Sequence, residues 1–341
     1  MPQSGSLARQ LDVAPSITTL MKAERRPIAK DEVYAVEYIR RMRGGSQSRL
    51  IRCSDRARYV VKVQNNPLGK RTLANELLGN LLATRLSLPT AKSAVVQVSK
   101  EFIQSNEEMV IELLRGREPM HPGPCFGSRF LQAEKPTPPG IDPLHTVTCH
   151  LTAGRGHMIE NITDVAGFLV FDKWTGNIDR RQTIAVRSNT PGYYRAVMID
   201  QGFCFSGDQW TFRDSPLYGI DLYRSALKWI PSFSIFELWL DRLEHIIDRR
   251  VIETAANKIP PQWYDNDRES LQRLLDRLDS RRAHVADLVW SAWEYARKEF
   301  PNWKVSRNRI AKLCSNDARQ LRLADFDTTA TNELGRCGGK V

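Results

Sequence analysis

Nowhere does this sequence carry an apolar run approaching the roughly 20 residues that a membrane-spanning helix needs, which excludes a helical membrane span. Residues 1–10 lack the apolar centre of a secretory leader, so the expectation is a soluble, cytoplasmic protein with no membrane partner. Cysteine is scarce and dispersed. The six present (Cys53, Cys125, Cys149, Cys204, Cys314 and Cys337) form no Cys-x-x-Cys pair and have no histidine at metal-ligand spacing. That argues against a disulfide framework or a zinc site, and they read as reduced thiols. Histidine is equally uninformative, because His121, His145, His150 and His157 are scattered through loop-like sequence. No internal repeat occurs, and no stretch matches G-x-G-x-x-G or the Walker pattern.

What is present describes a chain that must fold. Hydrophobic residues make up 41% and charged residues 26% of 341, the balance of a globular protein and enough length for two lobes with substantial cores. The net charge of +11 favours acidic partners: nucleotide phosphates, nucleic acid or an anionic surface. Charge alone does not choose among them. Part of the excess belongs to residues 303–322, where Lys304, Arg307, Arg309, Lys312, Arg319 and Arg322 face a single acid, Asp317.

Patterning divides the chain. Residues 1–30 lack periodicity and read as a loose arm. Residues 33–41, 49–53 and 58–64 read as strands of an antiparallel meander, the last carrying the β-branched run Tyr59-Val60-Val61-Lys62-Val63. Leu73, Leu77, Leu78, Leu81, Leu82 and Leu86 then recur at helical spacing, and residues 94–98 and 109–114 return to strand. After a Pro- and Gly-rich connection at 133–143, helices dominate: 162–174, 235–257, 267–299 with a break, and 305–313. The reading is α+β, with a sheet-rich lobe at 31–132, a helical lobe at 145–260 and a helical extension at 261–325. Trp174, Trp210, Trp229 and Trp239 read as core residues rather than base-stacking platforms.

Chemistry-bearing residues fall in an order that suits phosphoryl transfer, which needs a lysine on the phosphates, carboxylates for metal and a group positioning the attacking hydroxyl. Lys62 sits on an apolar strand, where a lysine is unusual unless it enters a polar site; the alternative is an edge lysine with its ammonium in water. Glu76 could return from the leucine-rich helix to pair with it, and a solvated helix position is the alternative there. The densest polar cluster, residues 172–183, follows an apolar helix and suits a rigid functional loop. Asp172 within it reads as a loop support or a structural cap. Asp200 ends an apolar strand just before Gly202, so its carboxylate could face a metal while the backbone turns away.

The string Asn177-Ile178-Asp179-Arg180-Arg181-Gln182, with Ile199-Asp200-Gln201-Gly202 after it and Tyr59-Val60-Val61-Lys62 and Ala74-Asn75-Glu76 before it, resembles HipA-like kinases. More distantly it is similar to type II phosphatidylinositol 4-kinases. The resemblance spans roughly residues 33–225. It implies a bilobal protein-kinase-like fold, ATP and Mg2+ as cofactors, and an acceptor hydroxyl, the serine or threonine of a protein being the commoner kind; a small molecule or lipid stays open. Asp179 matches the residue that orients the acceptor, Asp200 the metal-binding aspartate, and Lys62 the phosphate-contacting lysine. Where kinases place an asparagine as second metal ligand this sequence offers Gln182, an oxygen donor on a longer arm. Gly44, Gly45 and Ser46 could let backbone N–H groups approach phosphates, though a plain hairpin turn explains them as well. Residues 126–130 are the candidate strand against the adenine. The rival reading is a nucleotide-binding pseudokinase or regulatory module docking nucleic acid through its basic tail, which the departure at Gln182 favours.

Overall fold

The computed structural model describes residues 32–131, 154, 156–179, 182–212, 214, 215, 218 and 226–296. The expectations placed on residues 1–30, 133–143 and 305–313, and on Cys149, Cys314, Cys337, His145 and His150, lie outside them.

The β-branched and aromatic runs of the first part form β1 (Val33–Arg41), β2 (Arg49–Cys53) and β3 (Arg58–Lys62), paired antiparallel as a meander. Beyond them lie β4 (Ser93–Val98), a hairpin of β5 (Val110–Leu113) and β6 (Gly116–Pro119), and β7 (Gly123–Arg129). β7 inserts between β3 and β4, and β1 pairs in parallel with β4 through Val33↔Val96 and Tyr34↔Gln97, closing the barrel β1-β2-β3-β7-β4. Two register shifts in β1, between Ala35 and Glu37 and between Tyr38 and Arg40, supply the local bend and twist that such closure needs. Ile51, Tyr59, Val61, Val96 and Cys125 fill the core on one face of these strands.

α1 (Arg71–Arg85) bears the leucine repeat, and Leu73, Leu77, Leu78 and Leu82 are buried. α2 (Lys100–Gln104) is a short turn capped by Ser99, which accepts from Phe102 N. The remaining described chain holds α3 (Asp164–Thr175), the hairpin β8 (Gln182–Arg187) and β9 (Tyr194–Ile199), α4 (Ser234–Ile246), α5 (Arg249–Ala256), α6 (Arg268–Arg281) and α7 (Val285–Ala296). The single helix expected over 235–257 is two. Ile247 is extended (φ −98°, ψ 118°) with its side chain buried, and Asp248 caps the new helix by accepting from Val251 N at 2.7 Å. The break expected within 267–299 falls at the 3-10 turn Arg282–His284.

One core runs from the α1 leucines through Phe168, Phe171 and Trp174 of α3 to Leu278 of α6 and Val289 of α7. Trp174, Trp210 and Trp239 are buried in it, and Trp229 packs against its edge. Cys53, Cys125 and Cys204 are buried and outside any disulfide, and burial pushes the first two thiols up to about 12. Among the described residues no helix is long and apolar enough to cross a membrane.

Candidate active site

Alternation along β3 sends Tyr59 and Val61 into the barrel core and leaves Val60 and Lys62 on the opposite face. Lys62 Nζ donates there to Glu76 Oε1 and, at 2.9 Å, to Asp200 Oδ1, a residue 138 positions along the chain. Neither alternative reading survives: the Lys62 side chain is 11% exposed and that of Glu76 3%. Glu76 Oε2 also accepts from Gln201 N at 2.8 Å, so one carboxylate ties the lysine to the chain beside Asp200. Asp200 is the open member, with 26% of its side chain exposed.

Two carboxylates share one ammonium in a buried setting, and the electrostatics follow. Burial pushes Glu76 up to about 7 despite the opposing pull of Lys62. Burial would also raise Asp200, but Lys62 and hydrogen bonds, including one from Gly202 N–H, hold it down at about 2. Burial would lower Lys62, yet Asp200 and Glu76 together raise it above its ordinary value. Asp200 is thus the ionised carboxylate on the exposed side of the cluster, where a cation can reach it.

The polar loop after α3 reaches the same place. Gly176 caps α3 at φ +57°, in the left-handed region that favours glycine. Asn177 then donates to Asp172 from its backbone (3.0 Å) and its side chain (3.0 Å), and Asn177 Oδ1 accepts from Asp179 N at 3.2 Å. Asp172 is thus a buried support for the loop. Ile178 N donates to Phe203 O at 3.3 Å and Ser206 N to Gly176 O at 3.1 Å, which docks the Asp179 loop on the segment following Asp200. Asp179 itself is half-buried, while residues 180 and 181 lie outside the described set. Gln182 opens β8 opposite Ile199 and donates to Asp200 Oδ2 at 3.2 Å.

The Gly44-Gly45-Ser46 loop is placed differently from the other sequence candidates. Gln47 N donates to Gly44 O at 3.1 Å, and the Gln47 amide forms two bonds with the Glu112 backbone, at 2.6 and 2.8 Å. Those bonds anchor the loop to the β5–β6 hairpin, and Gly45 lies against Leu68. Its described contacts do not run to Lys62 or Asp200.

Sequence reasoning missed two groups. Directly opposed strand residues share a face, so the pairs Lys62↔Phe126, Val60↔Ser128 and Leu50↔Val60 put the unforeseen Leu50 and Val60 on the Lys62 face, together with Phe126 and Ser128 of the strand 126–130 expected against the adenine. Pleat alternation around Lys62 was the available signal. The other group is Thr72, Asn75 and Gly79, which with Glu76 form an i, i+3, i+4, i+7 stripe on α1 pressed against the Asp200 segment. A polar, small-residue stripe in a leucine-rich helix was its signature. His121 and His157 are exposed, and no group of three or more His, Cys, Asp or Glu among the described residues could hold a metal alone.

A strand lysine locked by a helix glutamate and facing an aspartate beside a docked polar loop is the constellation of a kinase-type phosphotransferase. The sequence model of the HipA-like kinase family matches residues 35–292, and the chain belongs to that family. No curated protein sequence matches it significantly. Among solved structures, hydra Fam20 with sugar is similar at 12% identity and a TM-score of 0.45, over 79% of this chain and 86% of that one. The Helicobacter pylori proinflammatory kinase CtkA aligns at 12% identity and 0.39, over 72% and 96%. HipA of Shewanella oneidensis MR-1, from a complex with HipB and operator DNA, aligns at 12% and 0.33, over 69% and 60%.

Proposed function

We propose that this kinase passes the γ-phosphoryl group of ATP, held with Mg2+, to the hydroxyl of a serine or threonine in a protein, in the cytoplasm. The observation that carries the reading is the Lys62 ammonium bonded at once to Glu76 and Asp200. Residues 31–132 form the nucleotide-binding lobe of a bilobal kinase and residues 145–260 the catalytic lobe. Leu50, Val60 and Ser128, on the Lys62 face, border the base.

Lys62 reaches the phosphates while Glu76 keeps its stem from swinging away. The donor set suits Mg2+, which takes one or two carboxylates together with phosphate oxygens and water. Asp200 and the Gln182 amide oxygen would hold it, and when bound it offsets charge on the phosphates. Asp179 accepts a hydrogen bond from the acceptor hydroxyl and orients its oxygen toward the γ-phosphorus. As that O–P bond forms, the bond to the β–γ bridging oxygen breaks, ADP leaves with the electron pair, and the hydroxyl proton passes to the Asp179 carboxylate.

Incubation with labelled ATP, Mg2+ and candidate proteins tests this. Asp179→Ala should lower transfer by about 10²–10⁴ with ATP affinity little changed, since the residue touches the acceptor and no part of the nucleotide. Lys62→Ala should weaken nucleotide binding and turnover together. Wild-type protein that binds ATP yet transfers nothing with any metal would return the reading to a nucleotide-binding module.

A further inference from the structure

Asp200 owes its position to a segment that regular structure does not hold. Asp200, Phe205, Ser206 and Trp210 sit at φ +61°, +61°, +63° and +56°, left-handed conformations that non-glycine residues keep only where the surroundings over-determine them. Glu76 fixes the front of this segment through Gln201 N. The back is held by its neighbour on α1. Asn75 is fully buried, at 0% exposure, and its Nδ2 lies 2.8 Å from Gly202 O, 3.1 Å from Cys204 O and 2.8 Å from Gly207 O. An amide nitrogen has two hydrogens, so one of them is shared between carbonyls. The amide cannot be turned around: Trp210 Nε1, which only donates, bonds to Asn75 Oδ1 at 2.7 Å. Flipping it would set donor against donor and oxygen against three carbonyls.

We propose that Asn75 is a positioning residue for Asp200, fixing the path of residues 202–210 and thereby the place where the carboxylate stands to receive the metal. The inference rests on the reading of Asp200 as the metal-holding residue. Thr72 and Gly79, on the same stripe, pack against the segment but supply no bond to its carbonyls among the described contacts.

The test is a calorimetric Mg2+ titration in the presence of a non-hydrolysable ATP analogue, on the full chain and on Asn75→Ala and Trp210→Phe, with melting and turnover recorded beside it. Outer partners of metal-holding groups typically change metal affinity by 10–100-fold, and Asn75→Ala should raise the Mg2+ midpoint by about 10-fold or more. Trp210→Phe keeps an aromatic side chain but removes the indole N–H that holds Asn75 Oδ1, and should move the midpoint the same way by about threefold. Turnover at saturating Mg2+ should recover to within about threefold of wild type. A merely structural role would lower melting temperature and active fraction while leaving the midpoint of the folded protein unchanged, and that result overturns the proposal. If Asn75→Ala does not fold, the Trp210→Phe midpoint decides by the same criterion. A wild type without any Mg2+ midpoint removes the metal reading of Asp200 and this inference with it, whereas a wild-type midpoint shared by the variants overturns this inference alone.

Discussion

At the scale of single residues, Glu76 is where burial and charge compete most openly. Its carboxyl is pushed up to about 7, above the ordinary value of 4.5, by burial first and then by Asp200 sharing the same ammonium. A folded-state pKa above the unfolded one means that the folded protein binds the extra proton between those values. The associated stability is therefore fully present below about pH 4.5 and is lost as pH rises through about 7. Asp200, held low, titrates at more acid pH and does not confuse that window. Glu76→Gln removes the titration. The melting temperature of the variant relative to wild type, without nucleotide, should thus climb from pH 5 to pH 8; a difference that is flat across this range contradicts the assignment. The residue's type and its pairing with Lys62 were legible in the sequence. Its burial was not, because a glutamate between leucines on a helix has the same local pattern whether it faces water or a carboxylate-binding loop.

At the scale of elements, α1 shows why one part of the fold could be read and another could not. Leucines at three- and four-residue spacing announce a helix, since that period lines one face whatever lies opposite. The second face, Thr72-Asn75-Glu76-Gly79, has meaning only with the Asp200 segment against it. Parallel closure of β1 on β4 is likewise invisible locally, because Val33 and Val96 find each other through the intervening β7 ladder and the β1 bulges. Ile247 escaped for a related reason: the apolar pattern continues through it, and the Asp248 cap decides the break. Gly79 turns this docking into a measurement. A Cβ there would lie 2.9 Å from Gln201 Cβ and 3.6 Å from Cys204 Sγ, and the first of these sits close to backbone rather than at a flexible tip. Helix propensity alone favours Gly79→Ala by about 1 kcal/mol. Overpacking against a constrained segment costs about 1–3 kcal/mol. The expected outcome in denaturant unfolding is net destabilisation of up to about 2 kcal/mol, and a stabilised variant would show that α1 and the Asp200 segment are not pressed together.

On the scale of the whole molecule, the residues beyond 260 brace the site from behind. Lys70 and Arg71, at the start of α1, pair with Asp265 at 2.5 Å and Asp267 at 3.0 Å, and the Arg71 guanidinium lies 4.5 Å from the Trp210 ring centroid. Exposed pairs of this kind contribute roughly 0–1 kcal/mol each, so they orient more than they hold. Burial holds. Trp263 is fully buried with its indole N–H donated to Pro124 O of β7 at 2.9 Å, and Trp174 Nε1 donates to Leu278 O at 2.8 Å. Arg281 adds bonds to the Lys173 and Trp174 carbonyls, at 2.8 and 2.9 Å, at the end of α3, where the Asp179 loop begins. A chain cut after Pro260 would keep Lys62, Glu76, Asp179 and Asp200 but lose Trp263, Leu274, Leu275, Leu278, Val285 and Val289 from the core around Trp174. Removing one such tryptophan side chain typically costs about 3–5 kcal/mol, against a total of about 5–15 kcal/mol for a folded domain. Losing these buried apolar residues together exceeds that margin. The shortened chain should therefore show no cooperative thermal transition and no phosphoryl transfer, while Trp263→Phe in the full chain keeps an aromatic side chain, loses the bond to Pro124 O and part of the buried indole volume, and should melt lower yet still cooperatively. A shortened chain that still melts cooperatively near the full-length temperature would make residues 261–296 an appendage, and would place the support of the Asp179 loop within α3 and the β8–β9 hairpin alone.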